Sequence, residues 1–209
     1  MSTATTTTTT PEPLTFGPPF EGFVPYRMSI EQYEAMVASG VFTSEDRFEL
    51  IEGLLVAKMT KYPPHSVATL RAHRHIDRLL TGKGWHARIE QPIRIPSRSS
   101  EPEPDVAVAR GDIDDYASKH PDAQDVALVV EVSDTTLQKD RRLATTYAAA
   151  RIPTYWIINI ADRQLEVFSS PRRKAYVIHQ TLLETEFVDV IIAGRILGRI
   201  AVADLLPPP

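Results

Sequence analysis

The segment Val126–Val132 constrains the fold more than any other part of the sequence. It reads Val-Ala-Leu-Val-Val-Glu-Val, a nearly continuous apolar run of strand length. Such a run, unlike an alternating one, is typical of a central strand that is covered on both faces. Its one carboxylate, Glu131, is costly to ionise there because burial disfavours the charged form. We therefore expect an arginine or a metal ion to compensate this charge.

The segments around this strand predict a mixed α/β or α+β fold. Capping and periodicity signals indicate a first helix that starts at Ser29 and stops at Gly40, a second from His65 to about Gly82, and a third over Thr135–Arg151. Strand patterns cover 47–51, 54–59, 85–96, 104–109, 154–160, 164–169, 176–180 and 187–192. This order predicts a mixed β-sheet core flanked by helices, with additional β-hairpins, and not a doubly wound nucleotide-binding fold.

Length and composition predict one globular domain with tails. The chain has 209 residues, of which 43% are apolar and 24% are charged. Residues 1–25 form a Thr/Pro-rich tract that we expect to be disordered, 26–206 the folded domain, and 207–209 a short proline tail. The absence of cysteine excludes disulfides, thiol catalysis and cysteine-based metal sites.

The sequence also indicates where the protein works and which other chemistries it lacks. No apolar run approaches the length of a membrane span, and Met1–Thr10 has neither the basic nor the apolar region of a secretory signal. We therefore expect a cytoplasmic protein without membrane contact. No Walker, Rossmann or Gly-x-Ser-x-Gly motif is present.

A second carboxylate, Asp105, is predicted to lie beside Glu131. It is on a short predicted strand 26 residues earlier, and a link of that length can place the two strands side by side. Two neighbouring carboxylates repel each other unless they share a divalent cation, and hard oxygen ligands suit Mg²⁺ or Mn²⁺. Glu49, on another predicted strand, is a candidate third carboxylate.

Each of these carboxylates has a simpler alternative. Glu131 could pair with Arg88 or Arg141 at the strand end. Asp105 could be a solvated residue next to a turn, and Glu49 an exposed strand charge.

Six short motifs occur in an order that resembles one family. They are Arg47-Phe-Glu-Leu-Ile-Glu-Gly53, Pro64-His65, Glu90-Gln-Pro92, Glu103-Pro-Asp105-Val-Ala-Val108, Val130-Glu-Val-Ser133, and Tyr147-Ala with Ile152-Pro-Thr-Tyr-Trp156. The set, between Ser29 and Leu206, is similar to the Uma-two family of restriction-endonuclease-like proteins in the PD-(D/E)XK nuclease superfamily. The resemblance implies a metal-dependent endonuclease in which a metal-activated water hydrolyses DNA phosphodiesters.

The resemblance also assigns roles to individual residues. Asp105 and Glu131 would be the metal ligands, Glu49 the upstream carboxylate, and Gln91 a polar residue that reaches the site from a neighbouring strand. His65 stands where the family has a histidine at a helix start; a capping or core role is an equal alternative for it.

One motif position departs from the superfamily pattern. The lysine expected two residues after the motif glutamate is replaced by Ser133. The family instead offers a lysine from the following helix, but here Leu143 and Ala144 stand where it would fall. Lys139 or Arg142 could supply the missing cation, which orients water and stabilises charge on the phosphate.

Local charge predicts contact with DNA. Residues 58–98 hold nine Lys or Arg and two acids, whereas residues 99–134 hold ten acids and two bases. A basic helix and strand beside an acidic ion site suit a metal-dependent nuclease, with phosphate contacts expected from Arg71, Arg74, Arg78 and Arg88. The alternative is an amphipathic helix with a solvated basic face.

The sequence therefore predicts a Mg²⁺-dependent endonuclease acting on DNA, with a homodimer as a further expectation because two strands must be cut. Two other functions stay open. The same fold without its lysine could bind DNA or a partner protein without cutting, and the substrate could be RNA.

Overall fold

The computed structural model describes residues 24–43 and 45–208. The predicted N-terminal tail lies outside them except for Val24 and Pro25, so its disorder and the domain limits stay predictions. In chain order the elements are α1 (Ile30–Ala38), β1 (Phe48–Ile51), β2 (Leu54–Ala57), α2 (Pro63–Leu80), β3 (Trp85–Ile89), β4 (Val106–Arg110), β5 (Val126–Ser133), α3 (Leu137–Ala149), β6 (Thr154–Asn159), β7 (Gln164–Arg172), β8 (Ala175–Leu183), β9 (Phe187–Ile192), β10 (Arg195–Ala201) and α4 (Val202–Leu205).

A six-stranded sheet forms the centre of the protein. Its strand order is β3-β4-β5-β6-β7-β8, and every neighbouring pair is antiparallel except β5 and β6, which are parallel. β1–β2 and β9–β10 are separate two-stranded sheets. The predicted fold class is confirmed, since a mixed sheet is flanked by helices and carries extra hairpins. β5 is the central strand that its apolar run predicts.

Alternate side chains of β5 serve two different cores. Leu128, Val130 and Val132 belong to a core that includes buried residues of α2, α4 and the β9–β10 hairpin. Val129 faces the other way, into a core that contains Tyr147 of α3. Glu131 contacts Tyr147 and is thus on the α3 face of the strand. The sheet therefore presents this carboxylate beneath α3 instead of to bulk water.

A smaller third core supports the N-terminal elements. Ile30, Tyr33 and Leu50 are buried together where α1 lies against the β1–β2 hairpin. α1 begins as predicted, with Ser29 and Gln32 forming a complete capping box. This layer matters for the site because β1 carries Glu49.

The structure corrects two sequence interpretations. The predicted strand 85–96 ends at Ile89, because Glu90 adopts a φ of 51° and Pro92 has no N–H for a strand ladder. Gln91 therefore follows the strand instead of lying on it. The second helix, predicted from His65, begins two residues earlier with Pro63 and Pro64. Proline is tolerated in the first turn, because the N–H groups there have no partner within the helix.

Two C-terminal elements, β10 and α4, have no counterpart in the sequence interpretation. β10 pairs with β9 across an irregularity between Ile196 and Gly198. No helix in the described part of the chain is both long enough and apolar enough to cross a membrane.

The β1–β2 turn generates a stability prediction. Glu52 and Gly53 have φ values of 52° and 78°, and a β-carbon at Gly53 would lie 2.8 Å from the Cβ of Arg27. Gly53→Ala should therefore combine left-handed strain with a steric clash and lower the free energy of unfolding by about 2–3 kcal/mol. Urea unfolding measures this loss.

Gly40→Ala is the matched control for that prediction. Gly40 has a φ of 74°, but nothing lies within 4 Å of a β-carbon placed there. Gly40→Ala should therefore lower the free energy of unfolding only by the cost of the left-handed backbone, about 1 kcal/mol. Equal losses in the two variants would contradict the steric argument.

Candidate active site

Asp105 is fixed at the start of β4 by contacts to β5 and α2. The backbone N–H of Val132 donates to Asp105 Oδ2 over 2.8 Å. His65 Nε2 lies 3.2 Å from the same oxygen, and Lys61 Nζ lies 2.9 Å from Oδ1. Burial opposes ionisation, but the hydrogen bonds and charges of His65 and Lys61 outweigh it and lower the pKa of Asp105. This carboxylate is therefore ionised in the folded protein at neutral pH.

Glu131 is held by a tyrosine and not by an arginine. The Tyr147 hydroxyl donates to Glu131 Oε1 over 2.8 Å. Arg141, one alternative partner, instead binds Glu166 through several hydrogen bonds. Burial raises the pKa of Glu131 well above its ordinary value, and the negative charges of nearby carboxylates raise it further. Within residues 24–43 and 45–208, no basic side chain thus forms an ion pair with Glu131.

Glu49 enters the site from β1, the strand that contributes Leu50 to the third core. It is buried on β1, where its Oε1 is 2.9 Å from Lys139 Nζ and its Oε2 accepts the backbone N–H of Glu103 over 3.1 Å. Burial opposes protonation of Lys139, but the charge of Glu49 outweighs it and raises the pKa of the lysine. The ion pair joins α3 to β1 across 90 residues of sequence.

The three carboxylates line one cavity of about 550 Å³. Eight acidic side chains line it, against four Lys or Arg. The acidic members are Asp46, Glu49, Glu90, Glu103, Asp105, Glu131, Asp134 and Asp140, and the basic members are Arg47, Lys58, Lys61 and Lys139. An excess of carboxylates in one partly enclosed space favours the binding of cations.

The donor chemistry of the cavity fits a hard divalent cation, although no ligand set is already assembled. Carboxylate oxygens are the donors that Mg²⁺ and Mn²⁺ prefer. Among residues 24–43 and 45–208, no three acidic or histidine side chains converge closely enough to hold a metal ion. Lys61 and Lys139 instead neutralise Asp105 and Glu49. A cation that bound these oxygens would compete with the two lysines.

The structure separates the other predicted site residues into two groups. His65 and Lys139 line the cavity together with the three carboxylates. Gln91 and Arg142 are exposed and are not among the lining residues. Of the two predicted substitutes for the missing lysine, only Lys139 thus reaches the cavity.

None of the arginines predicted to bind DNA lines the cavity. Arg74 and Arg78 are exposed on α2, and the Arg71 guanidinium donates to the Leu206 carbonyl. Arg88 lies over the Tyr116 ring, 5.4 Å from its centroid.

The sequence interpretation missed Lys61 and Tyr147 as site residues. Lys61 contacts both Asp105 and Glu90 at 2.9 Å. No local pattern marks it, since its partner Asp105 is 44 residues away. Tyr147 could have been found, because the quoted motif contains it on the helix that follows β5. The motif does not show that Tyr147 contacts Glu131, because this contact depends on how α3 packs against the sheet.

The comparisons with known proteins agree with this fold. A family model described as Uma2, putative restriction endonuclease, matches residues 30–198. The chain belongs to this family. The resemblance found in the sequence motifs is therefore confirmed, and the family description places the protein among the endonucleases, which are hydrolases.

A solved structure has a similar fold. It is the crystal structure of a putative nuclease belonging to DUF820 from Anabaena variabilis ATCC 29413, with a TM-score of 0.64. The similarity covers 85% of this chain and 97% of that one at 15% sequence identity. None of the curated proteins matches the chain.

The raised pKa of Glu131 generates a prediction on stability. The neutral carboxyl stabilises the fold fully below its ordinary pKa of 4.5, and this contribution is lost as the pH rises through the raised pKa. Without divalent ions, Glu131→Gln should therefore become more stable than the wild type as the pH increases. The gain should be about 1.4 kcal/mol for each unit by which the pKa is raised.

Urea unfolding in chelator between pH 5 and 9 measures this difference. Glu184→Gln is the control, because the hydrogen bond from Arg163 lowers the pKa of Glu184. Its difference from the wild type should stay constant over this range. A Glu131→Gln curve parallel to the wild-type curve would contradict the assignment.

Proposed function

We propose that the protein is a divalent-metal-dependent endonuclease that hydrolyses DNA phosphodiester bonds. The observation that carries this proposal is the convergence of Asp105, Glu131 and Glu49 on one cavity together with two lysines. The carboxylates come from three different elements, and burying them together in one place raises the pKa of Glu131. Such a costly arrangement is typical of functional sites.

Asp105 and Glu131 are the residues proposed to hold Mg²⁺ or Mn²⁺, with Glu49 in support. An ion bound there would supply Lewis-acid polarisation of the phosphate and a water of lowered pKa. The excess of acidic over basic side chains in the cavity supports a cation, because it leaves carboxylates without a basic counterpart.

The chain's own residues would hold these groups and the substrate. The Val132 N–H orients Asp105, and the Tyr147 hydroxyl orients Glu131. Lys61 and Lys139 place positive charge in the cavity, where it can bind a phosphate and stabilise the negative charge that develops on it. Ser133 stands at the motif position where the superfamily pattern has a lysine. We propose that Lys61 and Lys139 supply the positive charge of that lysine.

DNA would extend from the cavity along α2. The helix starts at the cavity, and its exposed residues Arg74 and Arg78 follow on one side of it. Arg78 is 13 residues beyond His65, which corresponds to about 20 Å of helix. Phosphate contacts at that distance suit a duplex that crosses the cavity mouth. Cutting both strands would need two copies of the site, and we propose that a cytoplasmic homodimer supplies them.

The first prediction concerns metal-dependent cleavage. Purified protein should nick and linearise supercoiled plasmid in Mg²⁺ or Mn²⁺ but not in chelator. Asp105→Asn and Glu131→Gln preserve side-chain shape, and each should lower the cleavage rate by about 10³-fold or more. Each removes a charged ligand of the proposed metal ion, which stabilises the transition state by several kcal/mol. Gel-based plasmid assays measure these rates.

Calorimetry with Mn²⁺, combined with the plasmid assay, distinguishes the proposed endonuclease from the non-cutting binding module that the sequence left open. A folded wild-type protein that binds Mn²⁺ but cuts no plasmid would contradict the nuclease proposal. It would identify a nuclease fold that serves as a binding module.

The second prediction concerns the two lysines. Lys61→Ala and Lys139→Ala should each lower the cleavage rate by about 10²-fold, the effect typical of losing one stabilising charge. Arg142→Ala should change it by less than about twofold, because Arg142 does not line the cavity. Mn²⁺ binding should persist or tighten in both lysine variants, since each removes a charge that competes for a carboxylate.

Lys174→Ala is the control for charge alone, because Lys174 is exposed between β7 and β8. A rate loss in Arg142→Ala equal to that in Lys61→Ala would overturn the assignment of the replacement lysines.

A further inference from the structure

The cavity is lined by two sets of side chains of different chemistry. One set of lining side chains consists of the carboxylates and lysines. The other set, here called the apolar wall, is apolar or aromatic and is formed by Tyr33, Val37, Phe42, Phe48, Met59 and Tyr62. Phe42 and Phe48 pack edge to face at 4.7 Å within the third core, so they form the base of this wall. Tyr33 is also buried in that core, so the side chains not used in this packing are Val37, Met59 and Tyr62.

Three apolar side chains of this wall are exposed in the described part of the structure. Tyr62 is 59% exposed, Met59 is 57% exposed and Val37 is 47% exposed. They line the same cavity as Asp105 and Glu131. An aromatic ring, a methionine and a valine beside a cluster of charges form an amphipathic pocket, which suits a ligand with one apolar and one anionic part.

Tyr62 is tied to the proposed catalytic groups by the chain itself. It directly follows Lys61 and precedes His65 by three residues, and both of these side chains contact Asp105. Tyr62 is also the N-cap residue of α2, but its side chain makes no capping hydrogen bond. The backbone is therefore fixed on both sides of a ring that contributes nothing to the helix start.

A nucleotide matches this pairing of charge with an exposed ring. Its phosphate would bind on the lysine side, and its base has an apolar face that can stack on an aromatic side chain. In an intact duplex both faces of a base are already stacked within the helix, so only an unpaired nucleotide can use the apolar wall. A paired duplex would leave this wall unoccupied.

We infer that the enzyme acts on DNA at a nucleotide whose base is unpaired, and that this base stacks on Tyr62 between Met59 and Val37. This inference rests on the proposed nuclease function and specifies its substrate class. A mismatch, a one-nucleotide bulge or a single-stranded junction would supply such a base at lower free-energy cost than a fully paired site, where the base must first be unpaired.

The test compares two labelled DNA duplexes that differ only in one unpaired nucleotide. 2-Aminopurine at that position reports stacking by fluorescence, with Ca²⁺ in place of Mg²⁺ during the binding measurements. Tyr62→Ala should weaken binding of the bulged duplex by roughly 5- to 150-fold, as expected for the loss of one base–aromatic stack, and should abolish the fluorescence change. Binding of the paired duplex should change by less than about twofold.

Two further variants separate stacking from a general effect on the fold. Tyr62→Phe keeps the ring and should retain binding and the fluorescence change. Leu70→Ala is the matched control, because Leu70 is 60% exposed on the same helix and does not line the cavity.

The possible results test the preference for an unpaired base separately from the proposed nuclease activity. Equal cleavage of both duplexes, with no effect of Tyr62→Ala, would overturn the inference and leave the nuclease intact. If neither duplex is cut, the nuclease proposal fails, and the fluorescence measurement still decides: a Tyr62-dependent signal supports stacking, and its absence refutes it.

Discussion

The hydrogen bond from the Val132 N–H to Asp105 Oδ2 connects the fold to the site. It joins the start of one strand to the neighbouring central strand at 2.8 Å, and so fixes Asp105 beside the strand that carries Glu131. Lys61, just before α2, and His65, in its first turn, contact Asp105, while Tyr147 positions Glu131 from α3. The carboxylate pair is therefore a product of strand pairing. Residues at the start of α2 and on α3 add further hydrogen bonds, and Lys61 adds a countercharge for Asp105.

The positive charges of the site do not come from the central strand. Ser133 stands on that strand where the proposed nuclease motif would have a lysine, whereas Lys61 precedes α2 and Lys139 lies in the first turn of α3. Both lysines bind carboxylates across long sequence separations. The proposed phosphodiester hydrolysis needs a positive charge within reach of the phosphate, and a particular strand position is only one way to place it.

The parts of the fold that the sequence predicts best are those with a strong local signal. The apolar run of β5 and the capping box of α1 depend on neighbours within a few residues, and both are confirmed. The strand 85–96 was predicted too long because its alternation of side chains continues past Ile89, whereas the positive φ of Glu90 turns the backbone away. β10 escaped prediction because Gly198 and an irregular pairing interrupt its pattern.

The same distinction holds for the site. The pairing of the strands that carry Asp105 and Glu131 could be expected from the short link between them, and β4 and β5 are indeed neighbours. The contact of Lys61 with Asp105 could not be predicted from the sequence. It depends on how the buried alanine and isoleucine side chains of α2 position this helix against the sheet.

The two sides of the cavity rest on cores of different size, because one side is supported only by the small third core. Ile30, Tyr33 and Leu50 hold the layer that carries Glu49 and part of the apolar wall, whereas Asp105 and Glu131 are positioned by the six-stranded sheet. A layer with so few buried apolar contacts opens locally at a lower free energy than the whole domain unfolds. Such opening would remove Glu49 together with the part of the apolar wall that belongs to this core. Any ligand that contacts both this layer and the carboxylates beside the central sheet stabilises the closed layer by mass action, so that occupancy of the cavity and folding of this layer are thermodynamically linked.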